Sequence, residues 1–281
     1  MKDIKLSLYI EINTSNIIFY VGECDEYTNF KIIFKNEIPI VGIENSRISD
    51  FDKVLNLIKE NIFSIEQKIN HTFKEVFLIL ENFNPNFINI SGYKKLNGSQ
   101  ILRENITYIL NTLKSYVHEI ENKKDILHIF NSNFYLDSKK IENLPIGLFG
   151  DFYSHELSFN LINSNDYKNL NNIFEKCNLK IRKILLKSFV QGSFLSENKE
   201  RADTFFYIKM NESNSKIFFF ENNSLKFEQH FDFGENIILK DISKIISFNI
   251  EKVKKIINKI DLTNENINDE FLEEDFFHDE N

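Results

Sequence analysis

The side chains able to do metal or nucleophilic chemistry are scattered through this 281-residue chain. His71, His118, His128, His155, His230 and His278 stand at no metal-ligand spacing, and a lone histidine in an apolar run, such as His128, reads as a structural residue. Cys24 and Cys177 belong to no CxxC or Cys/His cluster and read as buried free thiols. Nothing in the order of serine, histidine and aspartate marks a triad, which only geometry defines. Three polar turns remain between apolar runs: Glu11-Ile12-Asn13-Thr14-Ser15-Asn16, Lys209 to Lys216 (KMNESNSK), and Phe233-Gly234-Glu235-Asn236. On their own residues, the first two are hairpin turns and the third a strand-to-helix turn.

The elements that position these turns follow from periodicity. Leu6 to Ile12, Asn16 to Glu23 and Phe30 to Lys35 are short β-prone runs, rich in Ile, Phe and Tyr, that form a meander. Asp50 caps a helix whose apolar positions, from Phe51 through Val54, Ile58, Ile62 and Ile65 to Ile69, recur at three and four. Val76 to Leu80 is apolar on both faces, as a covered central strand is, so the order is βββαβ with a right-handed crossover. The same logic predicts a helix capped by Asn165, a strand at Leu179–Leu186 and a short helix at Lys187–Leu195. A second meander comes next (204–210, 215–220, 224–231), then helices at 237–246 and 250–260. The βββα order thus occurs twice.

Between the halves the pattern changes. Asn84-Pro85-Asn86 marks a boundary, and beyond it come a strand near Phe87–Ser91 and an amphipathic helix from Ser99 to about Glu119. Ile126–Phe130 and Phe134–Leu136 read as two β-prone pieces. His155, Leu157, Phe159 and Leu161 alternate with polar residues on a return strand. The elbow between them holds Pro145, which fixes its own φ, and Gly147 and Gly150, where positive φ is anticipated. This is a compact α+β insert of roughly 80 residues.

The order ILH, F-Y-hydrophobic-Asp, LP-x-G-hydrophobic-x-G and a hydrophobic strand resembles the inserted SHS2 (1C) domain of the FtsA family of actin-like bacterial cell-division proteins, and the resemblance extends from about Lys5 to Ile260. It implies an α/β fold of two ribonuclease H-like, actin-like halves with an inserted α+β domain. The division it suggests is a discontinuous first subdomain (1–80 and 164–195), the insert (81–163), part of a second half (196–260), and an acidic tail or the truncated start of a further subdomain (261–281). In the actin and sugar-kinase superfamily each half contributes a turn whose N–H groups cradle phosphates, with an acidic residue near a bound metal. The family's first loop, Asp-Ile-Gly-Thr-Ser-Lys, aligns with Glu11 to Asn16, keeping an acid and the Thr14 and Ser15 hydroxyls while Asn13 replaces glycine. Its second, Asp-Ile-Gly-Gly-Gly-Thr-Thr-Asp, aligns with Lys209 to Lys216; Asn211, Glu212 and Ser213 replace the glycines and lysines replace both acids. Gly234 survives in the third, with Asp241-Ile242 downstream.

The resemblance therefore implies ATP and Mg²⁺ as cofactors, but in eroded form: Glu11, Asn13, Thr14, Ser15, Lys209, Asn211, Ser213 and Gly234 are the degenerate nucleotide-loop residues. Lys209 is expected to take the metal's charge opposite Glu11. No enzymatic activity is expected, since a kinase needs intact phosphate loops and a catalytic carboxylate. The function implied is a self-assembling septal scaffold, or pseudo-ATPase, that links FtsZ to the membrane and recruits division proteins. Its self-association is expected through the insert at Pro145, Gly147, Gly150 and Asp151. A pilus-assembly actin homologue of the PilM type and a small-molecule kinase of the superfamily are the alternatives.

Charge and hydropathy fit that reading. Residues 261–281 hold nine carboxylates and no Lys or Arg, so a net charge of -8 leaves the rest of the chain at +1, which argues against a nucleic-acid surface. No apolar run approaches the ~20 residues of a membrane span. The chain is expected to be cytoplasmic; in the family, membrane contact at the septum is made by a C-terminal helix that is not seen here.

Overall fold

Strand-forming runs at the start of the chain build, in the computed structural model of the protein, an antiparallel meander of β1 (Lys5–Ile12), β2 (Asn16–Cys24) and β3 (Phe30–Pro39). The structure describes residues 5–24, 30–44, 46–81, 83–196 and 204–259, so the expected acidic tail, 261–281, lies outside the described residues. A small hairpin comes next, β4 (Ile43–Glu44) with β5 (Arg47–Ile48), too short to leave a periodicity in the sequence. Asp50 caps α1 (Phe51–Ile69) as expected, its carboxylate accepting the Lys53 N–H at 3.1 Å. Val54, Ile58, Ile62 and Ile65 form the buried stripe that covers the sheet, and β6 (Glu75–Leu80) returns parallel to β1.

The insert comprises β7 (Asn86–Lys95), α2 (Arg103–Ile120), β8 (Lys124–Leu136), β9 (Lys139–Ile141) and β10 (Phe152–Asn163), with sheet order β7-β10-β8-β9. Alternation along β10 sends Tyr153, Leu157, Phe159 and Leu161 to one face. There they pack with Ile109, Leu113 and Val117 of α2 in a core of their own. The two pieces expected at 126–130 and 134–136 are one strand, β8, whose register against β10 shifts twice; the irregularity breaks the alternation without breaking the pairing.

The chain then rejoins the first sheet through α3 (Ser164–Lys176) and β11 (Lys180–Leu186), which lies parallel to β6 and completes the order β11-β6-β1-β2-β3. The cap of α3 is Asn163, whose side chain accepts the Asn165 N–H at 2.9 Å, rather than Asn165 itself. Next come α4 (Lys187–Ser196) and the meander β12 (Phe205–Met210), β13 (Ser215–Glu221) and β14 (Ser224–Phe231). Helices α5 (Glu235–Ile246) and α6 (Ile250–Lys259) close the described part.

Among the described residues two compact units result, 5–207 with Ile217–Gln229, and Ile208–Lys216 with 230–259. Within the first, the hairpin 217–229 covers the face of the insert sheet opposite α2. Lys226, 5% exposed at its side chain, reaches Glu156 at 2.5 Å and Glu221 at 3.1 Å. Asn222 donates to Asn133 Oδ1 at 2.7 Å, Ser224 to the Asn131 carbonyl at 2.6 Å, and Asn89 to the Lys226 carbonyl at 3.1 Å. Beside this polar contact Leu186, Phe218, Phe220 and Leu225 pack with Leu127, Phe130 and Phe189. Burial alone drives the Glu156 carboxyl upward, but its bonds from Lys226 and Asn133 outweigh that, and it titrates below the usual range.

Candidate functional site

Three neighbouring strands, β1, β6 and β11, run parallel, and their C-terminal ends lie side by side, with Ile12 and Leu186 both in register with Leu80. Parallel strands bring the residues just past their C-terminal ends to one sheet edge, the usual place for ligands in α/β proteins. Here that edge gathers Glu11 and Asn13 from β1 and its turn, Glu81 after β6, and Lys187 after β11. The Lys187 ammonium lies 2.6 Å from Glu11 Oε1, 2.7 Å from Asn13 Oδ1 and 3.5 Å from Glu81 Oε2. All three charged side chains are largely withdrawn from solvent, Lys187 being 20%, Glu11 12% and Glu81 14% exposed.

The turn itself is closed on its own groups. Asn13 donates its backbone N–H to the Asn16 carbonyl at 2.9 Å and its side-chain amide to Asn16 Oδ1 at 2.7 Å. Asn16 in turn donates to Glu37 at 2.5 Å. Asn13 is not left-handed, so the freedom expected of a glycine replacement is not used there. Behind the loop, the Tyr20 hydroxyl donates to Glu11 Oε2 at 3.5 Å; burial first, then the Glu11 charge, raise its pKa.

The second unit repeats this turn. Asn211 donates its N–H to the Asn214 carbonyl at 2.8 Å and its amide to Asn214 Oδ1 at 2.8 Å, the same Asn-x-x-Asn closure as in the first loop. None of the four turn residues has positive φ. Gly234 does survive at the head of α5, as its N-cap, but the first N–H groups of that helix are taken. Glu235 donates to the Asn211 carbonyl and Asn236 to the Glu212 carbonyl, each at 2.9 Å. A Cβ on Gly234 would sit 2.2 Å from the Asn211 oxygen, so glycine is needed for this backbone contact. Ser213 is exposed, Lys209 half-buried and Lys216 buried.

The elbow of the insert is a third, separate feature. Gly147 is left-handed (φ 91°), whereas Gly150 is not; its small size instead lets Leu136 approach, to 2.4 Å from where a Cβ would stand. The segment preceding α2 fastens it: Ile101 exchanges backbone hydrogen bonds with Leu148 (2.8 Å) and Gly147 (2.9 Å), Gln100 donates to the Gly147 carbonyl at 2.7 Å, and Leu96 N–H donates to the Asp151 carbonyl at 2.8 Å. Pro145 is buried, Asp151 exposed, and the fastened loop displays Ile146, Leu148 and Phe149, the last 69% exposed. Tyr93 and Phe152, both exposed, stack beside it with centroids 5.2 Å apart.

Among the described residues no group of three or more His, Cys, Asp or Glu is placed to hold a metal, and no helix is long and apolar enough to cross a membrane. Cys177 is half-buried, and burial pushes its thiol upward. Lys187 and Glu81 are the site residues that sequence reasoning overlooked. The signal for both was available, since each is the charged residue that directly succeeds a parallel, mostly apolar strand.

This architecture is a mixed α/β fold of the actin-like ATPase class. It superposes on a chain of the PilM-PilN type IV pilus biogenesis complex with a TM-score of 0.57 at 7% identity, over 90% of this chain and 69% of that one. No family model matches the sequence. In sequence the chain is distantly similar to the cell division protein FtsA. It is 26% identical to FtsA of Buchnera aphidicola subsp. Schizaphis graminum over 255 residues, which is 91% of this chain and 60% of that protein. To FtsA of Neisseria meningitidis serogroup B it is 20% identical over 235 residues, 84% of this chain and 56% of that protein. The chain thus spans about 60% of the length of the curated relatives it matches.

An actin-like fold implies Mg²⁺-ATP, and the residues present do not fit it. The carboxylate beside the first loop is engaged by a lysine, the second loop turns without glycine, and the α5 N-terminus spends its N–H groups on loop carbonyls. A phosphate would have to displace those carbonyls to reach the helix.

Proposed function

We propose that this protein is a division scaffold of the FtsA kind, acting by self-association and recruitment of division proteins rather than by turnover of ATP. The observation that carries the reading is the similarity to FtsA along nine-tenths of the chain, insert included. The elbow supports it: a loop fastened by main-chain bonds displays apolar side chains at little entropic cost to a partner, as an assembly contact requires. The likeness to a pilus-complex chain, at 7% identity, is a likeness of fold and does not favour the pilus reading. Linkage of FtsZ to the membrane belongs to this proposal as a role of the whole protein.

Sedimentation velocity tests it. The chain is expected to self-associate with rising concentration, and Phe149→Lys, which puts a charge at the most exposed apolar position of the elbow, is expected to weaken that association at least tenfold with the fold retained. A chain that stays monomeric, or association unaltered by Phe149→Lys, would remove self-assembly through the insert from the account.

A further inference from the structure

The cluster at the ends of β1, β6 and β11 is built as a cation site whose cation is part of the chain. Glu11 and Glu81 bring two carboxylates to one place, and Asn13 adds a neutral oxygen that points at the same centre. Oxygen ligands of this kind, carboxylates with an amide carbonyl, are what a hard divalent ion takes. At their centre is the Lys187 ammonium, whose three N–H donors match the three oxygens from Glu11, Asn13 and Glu81. Two strands supply the oxygens and a third supplies the lysine, held in place because β11 ends in register with β6 and the next residue opens α4. Lysine rather than arginine suits the spot, since a compact point charge is needed at a convergence of oxygens.

We propose that Lys187 is a resident cation standing in for a divalent metal, and that the oxygen cluster is a latent metal site which the lysine keeps closed. The inference is independent of the scaffold reading, for it concerns what these four side chains bind and not what the protein assembles with. Removing the lysine withdraws the cation on which oxygens of Glu11, Asn13 and Glu81 converge, and a divalent ion can take its place.

Manganese binding followed by electron paramagnetic resonance tests this on the whole chain. The unaltered protein is expected to bind no stoichiometric Mn²⁺ at concentrations up to about 1 mM, whereas Lys187→Ala is expected to bind one equivalent at least tenfold more tightly. Adding Glu11→Gln to Lys187→Ala should abolish that equivalent. Lys187→Asn, which keeps a hydrogen-bonding group and adds an oxygen, serves if the alanine variant does not fold; Mn²⁺ should then also raise its melting temperature and not that of the unaltered chain. Stoichiometric Mn²⁺ on the unaltered protein that is lost with Glu11→Gln would overturn the proposal, because the site would be open already. So would a folded Lys187 variant that takes up no Mn²⁺, which would leave only a structural ion pair.

Discussion

Two histidines show how a residue's surroundings set its chemistry. His128 and His155 are 8% and 1% exposed, and desolvation holds each at a pKa of about 4, with the Lys183 charge adding to the effect at His128. The Leu186 N–H donates to His128 Nε2 at 3.4 Å, a bond only the neutral ring can accept, and His155 Nε2 faces Asn131 Oδ1 at 3.0 Å. Because the unfolded chain protonates these rings near 6.5 and the folded chain near 4, stability is complete above about pH 7 and is lost as pH falls between those values. Each ring is expected to cost about 2 kcal/mol by pH 4.5. Glu156, depressed in the folded state, adds a further loss below its ordinary value near 4.5. Urea midpoints at pH 7.5 and 4.5 would show the drop, and His155→Leu should shrink it; a midpoint independent of pH contradicts the assignment. That His128 is structural was legible from its place in an apolar run. For the Lys187 cluster only the positions were legible, Glu81 and Lys187 each succeeding a strand; that residues 11, 13, 81 and 187 meet depends on the strand order.

At the scale of elements, helices and strands with a buried face on one side were the most legible. The stripe of α1 and its Asp50 cap follow directly from spacing, and so does the α2-facing side of β10. The contact between the hairpin 217–229 and the insert was invisible for a physical reason. It is made by Asn, Ser, Glu and Lys side chains, and in a chain so rich in Asn and Lys such residues carry no pattern. The packing of α4 was equally hidden. Gly192 lets the Phe220 ring approach, and a Cβ there would stand 1.8 Å from that ring's edge. Phe220 has no room to yield, being fully buried and stacked on Phe205 with centroids 5.0 Å apart. Gly192→Ala is therefore expected to destabilise the protein by about 1–3 kcal/mol through overpacking. Chemical denaturation would measure it, and a variant as stable as the parent would mean that α4 is free to shift.

For the whole molecule, the duplicated βββα order and the insert were read from the sequence, and the actin-like fold bears out the class they imply. That both hairpin turns lack glycine was legible in the sequence. How the turns close without it was not: both use the same Asn-x-x-Asn pair, and the first-loop acid is neutralised by a lysine from the end of β11, two strands away. The scaffold proposed above is an actin-like fold without working phosphate loops. Calorimetric titration with ATP in the presence and absence of Mg²⁺, with phosphate release followed in parallel, tests it most directly. No Mg²⁺-dependent binding and no phosphate release above the buffer rate are expected; Mg²⁺-dependent binding at micromolar affinity, or sustained release, would mean that the phosphate loops work.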